Sequence, residues 1–387
     1  MNSKRIYALD IAKAISIYLV VLAHLLRDGP YFAYIVPATI PVFFILSGVS
    51  YRPSGSFPAF LSKKARALIK PYLFAGIISI CIYRIMGSFA GDMLREGGGE
   101  KSFMSNILEL VYANAKHDHM KWNNSLWFLP CFFVLLIIAE IYERYILPLI
   151  CSNKESLMAI VSRLIFSFLT SGLAFILSGF VTDLRLPWHI EGALYAMPFF
   201  QIGIILRPYI YRMTGKGSSD EEGAPSSLGS TDPSGKADQG RALLSASISF
   251  IFFFAIGIFL GLINGETSAR TDEYGLYPAL YYFSGISFAI SFISFGSIIK
   301  DRIPDISFVG RNTLPVLLWN KFPVLLIQLA VPGFLSLIRD PGSPIALMGC
   351  LLPAIIVIMA CLVFDSILKA ALELLTRSII SFSGSRK

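Results

Sequence analysis

Charge is scarce in this sequence. Asp, Glu, Lys and Arg together make up 15% of its 387 residues, well below the roughly 25% typical of soluble domains, and that excludes an ordinary soluble enzyme. Histidine occurs four times and cysteine five times. Cys81, Cys131, Cys151, Cys350 and Cys361 fall in or at the ends of apolar stretches, with no CxxC spacing and no paired arrangement in a loop, so neither a disulfide framework nor a zinc site follows. The first apolar segment lacks a small-residue cleavage site and runs at once into another, so it reads as a retained helix rather than a removable signal peptide. No internal repeat is visible.

What the chain does have is long apolar sequence: 55% of its residues are hydrophobic and its mean hydropathy is +0.65. Stretches of about 20 residues, the length needed to cross a bilayer, recur at approximately 7–26, 31–51, 68–87, 125–143, 159–181, 190–206, 242–263, 276–299, 313–337 and 343–366. Each should be helical, because a spanning segment has to satisfy its own backbone hydrogen bonds. The expected fold class is therefore all-α, a polytopic transmembrane bundle of about ten spanning helices. An even number of spans puts both termini on one face, and the loops of that face hold 22 Lys and Arg against 9 on the other. By the positive-inside rule both termini are cytoplasmic. The formal net charge of +8 then reports orientation and contact with anionic headgroups, and no nucleic-acid partner is needed.

Residues 215–240, rich in Gly, Ser, Pro and acid, cannot bury enough surface to offset the entropy of ordering. They are expected to form a flexible cytoplasmic linker between helices one to six (1–214) and helices seven to ten with a cytoplasmic tail (241–387). The outer loop 88–124 contains "FMSNILELVYANA", with apolar residues at helical spacing. This is either a short interfacial helix partly covering an external opening or a simple connector.

The first span carries Asp10, Lys13 and His24. On a helix, Lys13 and His24 lie about 16 Å apart in rise and within about 20° of the same face, with Asp10 one turn below Lys13. Ionisable groups in a span are costly and usually face a bundle interior or cavity. Asp10 and Lys13 are either a snorkelling pair at the interface or the start of a polar seam. His24 is either held by an interhelical hydrogen bond or, as a neutral imidazole in a cavity, a general base near pH 7. Glu191, at the outer end of the sixth span, suits a sugar hydroxyl or a histidine partner, or simple solvation at a helix N-terminus. Trp127, beside Phe128, suits stacking on a sugar or an interfacial aromatic belt. Ser47 and Gly48 suit close helix approach. The external run His117, Asp118, His119 lacks a third and fourth ligand nearby, so no metal site is expected.

Five blocks recur in order along the chain: the Lys13 to His24 helix followed by "IPVFFILSGVSYRP"; "FLSKKARALIKPYL"; "NNSLWFLPCFF"; "LPWHIEGALYAMPFFQIGIILRP"; and "FVGRNTLPVLLWNKFP". Together they resemble the acyltransferase-3 family of integral membrane acyltransferases, most of all its fucose 4-O-acetylase-type sugar O-acetyltransferases. That family's signature is a basic residue, usually Arg, followed after ten residues by an essential histidine; here they are Lys13 and His24. Lys keeps the charge but loses the bidentate fork, and "DIAK" at residues 10–13 matches the D-x-x-K of the sugar-modifying branch. Asn320 stands where related sequences commonly have histidine.

The resemblance implies a bacterial plasma-membrane enzyme that takes an acyl group, generally acetyl, from cytoplasmic acyl-CoA to a hydroxyl of a lipid-linked or exported glycan. Acyl-CoA is then a substrate, with no bound cofactor implied, and polysaccharide-assembly proteins are candidate partners. His24 would deprotonate the acceptor, while Asp10 and Lys13 would orient the seam or contact the donor. Lys63, Lys64, Arg66 and Lys70 would hold the nucleotide, aided by Arg311 and Asn312, and Glu191 and Trp127 would contact the acceptor. The rival class is a carbohydrate or lipid carrier with no covalent chemistry.

Overall fold

The computed structural model describes residues 6–26, 30–53, 55–94, 101–117, 119–180, 185–214, 233–300, 302–303, 305–331 and 333–384. Its elements are helices throughout, α1 (Tyr7–Leu26), α2 (Phe32–Ser50), α3 (Phe57–Met86), α4 (Phe103–Tyr112), α5 (Asn124–Ile150), α6 (Leu157–Ser178), α7 (Pro187–Met213), α8 (Pro233–Asn264), α9 (Pro278–Ile299), α10 (Ile306–Arg311), α11 (Thr313–Trp319), α12 (Lys321–Ala330) and α13 (Pro344–Arg377). Among the described residues the only β pairing is one isolated bridge, Ser268 to Glu273. Among the described residues nine helices are long and apolar enough to cross a membrane, or ten if the bent pair α11 and α12 is one span. The all-α polytopic bundle expected from hydropathy is what the chain forms.

Burial divides the spans into two shells. The apolar windows of α2 and α7 are 72% buried and that of α8 only 17%, so α1, α2, α5, α7 and α9 form the centre while α3, α6, α8 and α13 present apolar side chains outward. Small residues let the central helices touch: a Cβ on Gly48 of α2 would run into the Phe200 carbonyl of α7, and one on Gly203 into the Ile45 carbonyl. Backbone contact of this kind substitutes dispersion for the hydrophobic driving force that lipid does not supply. Gly310 likewise brings α10 against the backbone of Asp10 at the start of α1.

Two departures from regular helix matter for the site. Residues Ala65–Ile69 of α3 form a π turn, a widening often found near functional positions. The ninth expected span is broken at Asn320, where α11 and α12 meet at 56°. The sequence "FMSNILELVY" does form a helix, α4, capped by the Ser102 hydroxyl accepting from the Ser105 N–H. Its Glu109 and Leu110 turn inward and its Met104, Leu108 and Val111 outward at i, i+4, i+7, the two-sided pattern of a helix lying at an interface. Of the linker expected at 215–240, residues 215–232 lie outside the described part, and from Pro233 the chain is already in α8. Asp118 of the "HDH" run also lies outside it.

Candidate active site

Because successive spans alternate in direction, α1 starts on the face that carries the N-terminus and ends on the opposite face. Its polar stripe lines a cavity of about 320 Å³ through Asp10, Lys13, Ile17, Val20 and His24, joined by Leu68 of the π turn, Phe128 and Arg311. Asp10 is buried and takes the Lys13 ammonium at 3.4 Å. Past this charged mouth the walls are mainly aliphatic and aromatic. A second cavity of about 600 Å³ opens toward the opposite face and is lined by Lys121, Arg270 and Lys321 among others. The two cavities share four residues: Val20, His24, Ile40 and Trp127. His24 is thus the titratable side chain that borders both.

Hydrogen bonds fix the state of that imidazole. The Asn320 Nδ2 group donates to the Val316 carbonyl at 3.0 Å and to Leu317 at 3.3 Å, which orients its Oδ1 away from its own helix. Ser125 donates its one proton to that Oδ1 at 3.1 Å. The Ser125 Oγ is also 3.2 Å from His24 Nε2, and a hydroxyl whose proton is already committed can only accept. Nε2 therefore carries the hydrogen, and Nδ1 is left as the basic nitrogen. Asn320 can hold this orientation because the helix break sits at its own position.

The expected site residues do not all converge. Asp10, Lys13, His24, Trp127 and Arg311 line the first cavity, whereas Asn312 points its amide back to the Phe308 carbonyl at 2.8 Å. Lys63, Lys64, Arg66 and Lys70 line neither cavity. Arg66 donates to the Ser62 carbonyl and Lys64 lies over the Phe60 ring at 5.5 Å, so the helix of the basic run turns these two along its own surface. Glu191 is fully buried and lines neither cavity. It accepts from Asn114 Nδ2 at 2.8 Å, pairs with Lys116 at 3.1 Å and lies 3.6 Å from His189 Nδ1.

These contacts belong to a buried cluster that sequence reasoning missed. The Lys116 ammonium bridges Glu191 and Asp272, and His189 Nε2 lies 3.4 Å from Asp272. Burial alone would raise the Asp272 carboxyl, but His189 and Lys116 outweigh it and hold it below the ordinary carboxylate value. His189, Glu191 and Asp272 bring their ligand atoms within 4.8 Å of one another. The ammonium of Lys116 already supplies the positive charge that a metal would bring there, so the cluster is an ion-pair latch between the loop after α4, the start of α7 and the loop after α8. Trp188, His189 and Asp272 adopt left-handed backbone angles, φ 58, 52 and 58°, which bulky side chains occupy only when their surroundings impose it. The Trp127 ring packs on His189 at 4.7 Å, so the latch backs the wall of both cavities.

Residues 6–364 match the acyltransferase domain that defines the acyltransferase-3 family, and the chain belongs to that family. No curated protein and no solved structure gives a significant match.

Proposed function

We propose, from this family membership, that the protein transfers an acyl group from acyl-CoA in the first cavity to a hydroxyl of a glycan in the second. The observation that carries the proposal is the position of His24 at the border of the two cavities with its Nδ1 free to accept a proton. The acceptor O–H gives its proton to Nδ1 as its oxygen attacks the thioester carbonyl. The carbon–sulfur bond breaks, and the imidazolium returns the proton to the departing CoA thiolate.

The family fixes acyltransfer; acetyl as the acyl group, a glycan as the acceptor and the cytoplasm as the donor side are our proposal. The apolar bore of the first cavity suits a pantetheine arm. Its mouth offers Lys13 and Arg311 for anionic groups of the donor, where charge-assisted bonds are strongest. Donor entry from the cytoplasm agrees with the basic residues counted on the N-terminal face. In this scheme the protein sits in a bacterial plasma membrane, and Trp127 meets the acceptor.

A broken span and cavities toward both faces are also carrier traits, and the carrier reading differs in one outcome. Membranes containing the wild type should move labelled acetyl from acetyl-CoA to endogenous glycan, and membranes with matched His24→Ala protein should not. Transfer unchanged by His24→Ala would remove His24 from the mechanism. No labelled product from the wild type would favour the carrier.

A further inference from the structure

We infer that His189 is a positioning residue: it seats the Trp127 ring as a partition between the two cavities, and this partition keeps water in the second cavity from the acyl thioester in the first. The acyl-transfer reading enters only in placing a thioester there.

Of the four residues that line both cavities, Val20 and Ile40 are aliphatic, His24 is the base and Trp127 is the largest. The first cavity is walled mainly by apolar side chains beyond its charged mouth, whereas the second carries polar groups such as Thr39, Asn124 and Gln328. Water in the second cavity would meet the same imidazole as a glycan hydroxyl does, in far greater abundance. It would give a proton to His24 Nδ1 as its oxygen attacked the thioester carbonyl. The carbon–sulfur bond would break and the proton would pass to the CoA thiolate, leaving CoA and a free carboxylic acid. An enzyme that transfers rather than hydrolyses needs that route shut.

Trp127 is buried, and its indole rests against the His189 ring at 4.7 Å and 62°. Carboxylates flank that imidazole at both nitrogens, with Glu191 3.6 Å from Nδ1 and Asp272 3.4 Å from Nε2. Each carboxylate is fixed in turn. Glu191 accepts from the Asn114 amide at 2.8 Å and the Leu186 N–H at 3.3 Å, Asp272 accepts from the Tyr274 hydroxyl at 2.9 Å, and Lys116 pairs with both. Turning the ring would carry a nitrogen away from its carboxylate. A Cβ on Gly192 would lie 2.1 Å from His189 Cδ2, so the glycine leaves room for the ring in this place.

The backbone is bent to the same end. Trp188 and His189 both hold left-handed angles, a cost that persists where the surroundings over-determine it, as they do at functional sites. Stability alone would be served by Lys116 between Glu191 and Asp272. It does not call for an imidazole against the indole that both cavities share.

Two measurements on the full chain, in sealed proteoliposomes of known orientation, test the partition. In the first, with neither donor nor acceptor present, Ser47→Cys puts a thiol in the lining of the first cavity and outside that of the second. A membrane-impermeant methanethiosulfonate is added from one face at a time, and modification at position 47 is followed by peptide mass. Reaction from the face of the N-terminus should be about tenfold faster or more than from the opposite face. Adding His189→Ala or Trp127→Ala should bring the two rates within about twofold of each other without changing the faster one, while His189→Phe and Trp127→Phe, which keep a ring, should preserve most of the difference. In the second, acetyl-CoA is supplied without glycan. CoA release matched by free acetate should rise about tenfold over wild type in His189→Ala and in Trp127→Ala, and be abolished by adding His24→Ala. Equal labelling from both faces in the otherwise wild-type chain would overturn the inference, as would a difference that survives both alanine variants. Labelling that opens without faster CoA release, in a protein that acetylates glycan, would overturn the role against water. A wild type that neither acetylates glycan nor releases CoA contradicts the acyl-transfer reading instead, and the labelling then decides the partition by itself.

Discussion

Ser125 Oγ lies 3.2 Å from His24 Nε2 and gives its own proton to Asn320 Oδ1, so a serine from the start of α5 and an asparagine at a helix break together set the tautomer of the histidine on α1. Ser125→Ala should lower kcat about tenfold or more, less than the roughly 10²–10⁴-fold expected for loss of the base itself in His24→Ala. The donor KM should change little, because Ser125 lies at the histidine end of the cavity. Ser125→Thr, which retains the hydroxyl, should recover much of the loss.

Asn320 acts through the same serine. Asn320→Ala should cost about as much as Ser125→Ala, and the double variant little more than either, since residues in one hydrogen-bond chain couple by about 0.5–3 kcal/mol. Additive losses in kcat would mean that the two residues act separately.

The Lys116 latch should be a stability element. Removing one partner of a buried ion pair costs about 3–5 kcal/mol because the remaining charge is stranded, and Lys116 is only 4% exposed. Lys116→Met should therefore lower the melting temperature of the detergent-solubilised protein clearly. Lys101→Met, which removes a more exposed cation 2.5 Å from Glu109, should lower it less.

The latch also predicts a pH dependence. Asp272 has its carboxyl below the ordinary value in the folded protein, so the unfolded chain binds its proton first as pH falls. Its stabilising contribution is complete above the unfolded carboxylate pKa of about 3.9 and is lost as pH drops from there through the folded value. Melting temperatures taken from pH 6 downward should fall below about pH 4 in the wild type, and Asp272→Asn should be less stable at pH 6 with a shallower fall.

Much of this was legible in the sequence, and the misses have physical causes. Spans such as Tyr7–Leu26 and Pro278–Ile299 were readable because bilayer thickness dictates their length. Gly48 was readable as a contact point because only a small residue allows backbone approach. The break at Asn320 was not, since the composition on both sides is equally apolar. The latch joins Lys116, His189, Glu191 and Asp272 across three elements, a proximity created by topology alone. The basic run Lys63, Lys64, Arg66 and Lys70 was visible as charge, but hydropathy does not tell which way the side chains point, and none of the four lines either cavity.

The central claim is that His24 works where a donor from one face meets an acceptor from the other. Its most direct test uses sealed vesicles of known orientation, with labelled acetyl-CoA on one side only and the glycan on the other. The account predicts label on the glycan when acetyl-CoA is on the side of the N-terminus, none when the sides are exchanged, and none in either arrangement with His24→Ala. Equal labelling by wild type and His24→Ala, or labelling that requires both substrates on one side, would contradict it.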